Sequence, residues 1–114
     1  MPGITTHVLD TSRGRPASGI LVRLEQRAGT DEWRPVGTGH TNSDGRVSDL
    51  VPAGTAVAPG QYRLIFETQP YFASQSVQAF YPSVVVTFEA ATGQAHYHVP
   101  LLLSPFGYST YRGS

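Results

Sequence analysis

A chain of 114 residues has the length of one domain and buries roughly two thirds of its unfolded surface on folding. It contains no Cys, which excludes disulfides and thiolate chemistry. Its 8 basic residues, all Arg, balance 8 acidic ones, and a net charge of zero speaks against nucleic acid or an anionic membrane as the main partner.

No apolar run approaches the ~20 residues that a membrane-spanning helix needs. The opening Met-Pro-Gly-Ile-Thr-Thr-His has neither the charged segment nor the apolar segment of a signal peptide, so a cytoplasmic protein is expected. No internal repeat or linker divides the chain, and residues 1–114 read as a single domain.

Twelve Gly and nine Pro cut the sequence into short pieces that read as strands. Ile4 to Asp10 alternates Ile4, Thr6 and Val8 against Thr5, His7 and Leu9, and its β-branched residues favour a strand. Thr11 to Gly19 is rich in turn formers. Ile20 to Gln26 is the clearest strand, with Ile20, Val22 and Leu24 on the buried side. Trp33 to Asn42 is a further strand, and Pro35 places it at a sheet edge or bulge. Asn42-Ser-Asp-Gly-Arg46 is a tight turn, because Asp-Gly tolerates positive φ. A short strand is expected within Val47 to Val51.

Gln61 to Gln69 sets Tyr62, Leu64 and Phe66 against Arg63, Ile65 and Glu67. Pro70 to Ala79 is the candidate helix, since Pro is tolerated in a first turn, and Tyr81-Pro82 stops it. Ser83 to Glu89 is a strand with Val84, Val86 and Phe88 inward. The last stretch, His96 to Ser114, reads as two strands joined by Ser-Pro-Phe-Gly. On one of its faces stand His96, His98, Pro100 and Leu102, followed after the turn by Ser109 and Tyr111. Seven to eight short strands with one short helix predict an all-β protein, an antiparallel β-sandwich.

Chemistry is scarce elsewhere. There is no Gly-rich phosphate loop, nucleophile elbow or metalloprotease helix. The spacing His96-x-His98 occurs in zinc sites, but zinc needs three or four ligands and the remaining His and carboxylates follow no ligand spacing. His40 reads as a surface or structural residue. With no activated Ser and no Cys, an enzyme of this sequence would use water as nucleophile and a neutral imidazole as base.

Three motifs in order resolve the choice further. They are Thr6-His-Val-Leu-Asp-Thr11 with Gly14-Arg-Pro-Ala17, then Thr41-Asn-Ser-Asp-Gly-Arg46, then the whole run from His96 to the terminal Tyr111-Arg-Gly-Ser114. Together they resemble the 5-hydroxyisourate hydrolases, the transthyretin-related enzymes of urate breakdown. The terminal tetrapeptide is the mark that the hormone-carrying transthyretins lack. The resemblance implies a transthyretin-like sandwich and hydrolysis of 5-hydroxyisourate to 2-oxo-4-hydroxy-4-carboxy-5-ureidoimidazoline. It implies a catalytic set of His7, Arg46, His98 and Ser114, with His7, Arg46 and Tyr111 binding substrate, His96 outside the set, and no metal or cofactor. It also implies a homotetramer, a dimer of dimers with active sites at the dimer–dimer interface. Either His7 or His98 is eligible as the base, and Ser114 would act through its hydroxyl or its carboxylate. A carrier without turnover, a purely structural interface and a zinc hydrolase using His7, His96 and His98 are the competing readings.

Overall fold

The computed structural model describes residues 3–113. Nine strands and one helix follow in the order β1 (Gly3–Asp10), β2 (Arg15–Pro16), β3 (Leu21–Arg27), β4 (Trp33–His40), β5 (Arg46–Val47), β6 (Gly60–Glu67), α1 (Gln69–Ala73), β7 (Val84–Ala90), β8 (His96–Ser104) and β9 (Gly107–Thr110). Two of the nine, β2 and β5, are only two residues long, so the longer strands are those read from the sequence. One sheet runs β2-β1-β8-β9 with β5 also paired to β1, and the other runs β4-β3-β6-β7.

The alternating residues close the core as their period requires. Ile4 and Val8 of β1 and Tyr97, Val99, Leu101 and Leu103 of β8 face Val22 and Leu24 of β3 and Tyr62, Leu64 and Phe66 of β6. Phe66 is fully buried, and its truncation to Ala would cost about 3–5 kcal/mol. Two polar residues share this inner face, and both are satisfied. Thr6 Oγ1 donates to the carbonyl of Val99 at 2.6 Å. The Asp10 carboxylate accepts from Ser12 N–H and O–H, from Arg13 N–H and from the Tyr71 hydroxyl. Burial alone would raise its pKa, yet those donors hold it below the ordinary value. They also tie α1 to β1.

Three departures from the sequence reading have physical causes. The sandwich is antiparallel save for one pair, β1 with β8, which is parallel. Period-two alternation is identical for either direction, and the strand-to-strand turns that signal antiparallel neighbours say nothing about two strands from opposite ends of the chain. The helix covers Gln69–Ala73 instead of Pro70 to Ala79, because only Phe72 is buried and the following Ser74-Gln75-Ser76 offers no apolar face to continue it. The strand expected within Val47 to Val51 begins one residue earlier and keeps only Arg46–Val47. Pro35 behaves as expected. It lies on the edge strand β4, where Leu24 pairs with Gly37 and Glu25 with Pro35, which leaves Val36 as the extra residue of a bulge.

Candidate active site

The outward face of the β1–β8 sheet carries the residues of interest. In the parallel register Thr5 lies opposite His98, His7 opposite Pro100 and Leu9 opposite Leu102. Across the other edge of β1, His7 pairs with Arg46, so the parity that turns Val47 into the core turns Arg46 outward. Leu102 pairs with Ser109 on β9. His7 and His98 are therefore diagonal neighbours on one sheet face, with Arg46 beside His7 and an apolar floor of Leu9, Pro100 and Leu102.

Arg46 owes its position to the preceding turn. Asn42 Oδ1 accepts from the N–H groups of Asp44 and Arg46 at 2.9 and 3.0 Å. Asn42 N–H in turn donates to the Arg46 carbonyl at 3.0 Å. Gly45 takes φ 76°, and a Cβ there would meet the Val8 carbonyl oxygen at 2.4 Å. Only glycine lets the turn lie this close to β1, where Val8 N–H donates to the Gly45 carbonyl at 2.8 Å.

A cleft of about 310 Å³ opens on this face, lined by Thr5, Thr6, Arg46, Val47, Ser48, His96 and His98. Arg46 and His98 thus meet in one cavity, and His7 flanks it. A second cleft, of about 210 Å³, has His98 and Tyr111 in its wall together with Phe88 and Arg112. His98 borders both. Its imidazole is held below the ordinary pKa first by burial and then by the charges of Arg46, His7 and His96. The ring stays neutral where an ordinary His begins to protonate.

Tyr111 lies just beyond β9. The Leu101–Thr110 pair and the His98–Gly113 bridge keep one register, which sets Tyr111 opposite Pro100. It is 57% exposed. Ser114 lies outside the described residues. Among the described residues no three His, Cys, Asp or Glu side chains are grouped to hold a metal, so His7, His96 and His98 do not make a three-ligand set within one chain. His40 is exposed on β4, in the other sheet.

Sequence reasoning passed over two neighbours of His98. Thr5 Oγ1 lies 2.8 Å from His98 Nδ1. Gly113 N–H donates to the His98 carbonyl at 2.8 Å, and a Cβ on Gly113 would come 2.6 Å from His98 Cδ2. The only available signal was parity, since Thr5 alternates with Thr6 exactly as His7 does.

The family model described as HIUase/Transthyretin family matches residues 4–113. The 5-hydroxyisourate hydrolase of Salmonella typhimurium is 49% identical over 111 residues, covering 97% of this chain and 80% of the relative. The solved 5-hydroxyisourate hydrolase of Klebsiella pneumoniae superposes with a TM-score of 0.84 at 32% identity over the full length of both chains. Sea bream transthyretin, solved in complex with thyroxine, superposes with a TM-score of 0.88 at 31% identity, covering 96% of this chain and 93% of that one. With matches of this extent in both sequence and structure, the chain belongs to the HIUase/transthyretin family.

Proposed function

We propose that this protein is a single-domain enzyme that hydrolyses 5-hydroxyisourate in urate degradation, and that the outward cleft of the β1–β8 sheet is where it does so. Relatives named for that activity at 49% identity support the reaction. The fold alone does not select it, because a thyroxine-binding transthyretin has the same one. The observation that carries the assignment is the meeting of Arg46 and a neutral-leaning His98 in one cleft, with His7 at its flank.

In this mechanism His98 takes a proton from water as the water oxygen bonds to a ring carbonyl carbon. The ring C–N bond then breaks, the departing nitrogen receives that proton from His98, and the carbonyl carbon becomes a carboxylic acid that releases its own proton to solvent as the carboxylate. The Arg46 guanidinium binds the carbonyl oxygens and stabilises the oxyanion that forms there, with a planar fork of donors that an ammonium lacks. His7, paired in register with Arg46, binds substrate from the flank and is the alternative base. Tyr111 contributes a ring or a hydroxyl to the substrate, and Ser114 a polar group, the latter on the strength of family resemblance.

The same face supports a homotetramer, arranged as a dimer of dimers. On this face Leu9 and Leu102 are half-buried beside the buried Pro100, and Phe106 is 71% exposed at the adjoining turn. An apolar surface of this kind around a polar cleft is characteristic of an interface. Closing it with a second dimer would turn an open cleft into an enclosed site. A cytoplasmic location accords with this chemistry, and among the described residues no helix is long and apolar enough to cross a membrane.

Arg46→Lys tests the assignment. Charge is kept and fork geometry is lost, so kcat should fall by about 10²- to 10³-fold, the usual effect of removing an oxyanion donor. A wild-type rate in this variant would remove Arg46 from the chemistry.

A further inference from the structure

We propose that Thr5 is the positioning residue of His98: its hydroxyl accepts the Nδ1–H proton, so that Nε2 carries the lone pair toward the outward cleft. The inference rests on the reading of His98 as the base of the hydrolysis.

The geometry leaves the ring one free edge. Thr5 Oγ1, 2.8 Å from Nδ1, occupies that nitrogen. Gly113 lies against the opposite side, since a Cβ built on it would sit 2.6 Å from Cδ2 and 3.3 Å from Cγ. The Cε1–Nε2 edge is the one that neither contact takes. Thr5 and His98 are direct partners in the parallel register of β1 and β8, so the contact is set by two strand backbones and not by a mobile loop. β8 is held in turn on its other side, where Gly113 N–H donates to the His98 carbonyl. Thr5 is half-buried, as is the His98 ring.

A neutral imidazole acts as a base through one nitrogen, and the hydrogen bond at the other nitrogen decides which. Free imidazole side chains favour the tautomer with the proton on Nε2, which would present a donor to the cleft. A hydroxyl that accepts from Nδ1–H reverses that preference. Thr suits this task because its β-branch restricts the rotamer on a strand, which keeps the oxygen aimed across the sheet. Of the other hydroxyls in the cleft wall, that of Thr6 donates to the Val99 carbonyl, and Ser48 makes no bond to the ring among the described residues.

The test is long-range proton–nitrogen NMR on the full-length protein with nitrogen-labelled His, at a pH where His98 is neutral, with the signals assigned by His98→Asn. The expected spectrum of the wild type shows Nδ1 protonated and Nε2 bare. Thr5→Val, which keeps the shape and removes the hydroxyl, should shift the ring toward Nε2–H. It should also lower kcat by about 10- to 100-fold with little change in KM, the size of effect that loss of an orienting partner has on a metal-bound His. Thr5→Ser should restore both the spectrum and the rate. A wild-type ring protonated on Nε2 would overturn the proposal whether or not Thr5→Val folds, as would a Thr5→Val protein with wild-type tautomer and kcat. If the wild type fails to accelerate 5-hydroxyisourate decay, the hydrolase reading falls by itself, and the spectra still decide whether Thr5 sets the tautomer.

Discussion

At the level of single residues, the proposal that His98 is the base rests on where β8 puts it. Burial removes water that would stabilise the imidazolium, and Arg46, His7 and His96 add positive charge around it, so the proton is lost more easily than from a free imidazole. Two consequences follow, one in rate and one in stability. The acid limb of kcat/KM should have its midpoint below ~6.5, the value for an unperturbed His. A limb centred at or above that value would contradict His98 as the base. Stability moves with the same group. Its folded pKa lies below its unfolded one, so the unfolded chain binds the proton more readily, and the contribution to stability is complete above ~6.5 and is lost as pH falls through the folded value. Of this residue-level picture, the sequence showed the identities of His7, Arg46 and His98, while the side to which Arg46 turns came from its pairing with His7. The sequence did not show the Thr5 contact, which joins residues 93 positions apart and requires the register of a parallel pair.

At the level of elements, the site depends on β1 as a common rail. β8 lies along one edge and presents His98, while β5 lies along the other and presents Arg46. The two-residue β5 is too short to hold Arg46 alone, and the Asn42 side chain supplies what its ladder lacks. Asn42→Ala should therefore lower stability by only about 1 kcal/mol while raising KM several-fold, because Arg46 loses its fixed origin. Thermal melts with steady-state kinetics check this; an unchanged KM would mean that β5 holds the guanidinium without the turn. The strands of this scaffold were legible because alternation and turn residues are local properties of the sequence. The direction of β8 relative to β1 was not, because alternation carries no direction. The end of α1 was misplaced for a related reason: a five-residue helix with one buried side chain leaves almost no period to read.

At the level of the whole molecule, the partly exposed apolar face beside the site makes a prediction about assembly. Leu9 and Leu102 lie half-buried on the same face as the cleft, and Phe106 and Tyr108 stand exposed at the neighbouring turn and strand. Light scattering coupled to size exclusion should give about four times the mass of one chain, in keeping with a dimer of dimers. A monomer with full activity would show that the cleft needs no partner to close it. The transthyretin resemblance reached the fold from three short motifs, yet the same fold serves a protein that binds thyroxine. The fold does not tell the two activities apart, and turnover does.

The most direct measurement generates 5-hydroxyisourate in situ from urate and follows its ultraviolet decay with and without the protein, before and after exhaustive chelation. The account predicts strong acceleration at micromolar protein, undiminished by chelation and abolished or severely reduced in His98→Asn. No acceleration by the wild type, or acceleration that survives loss of His98 unchanged, would contradict it.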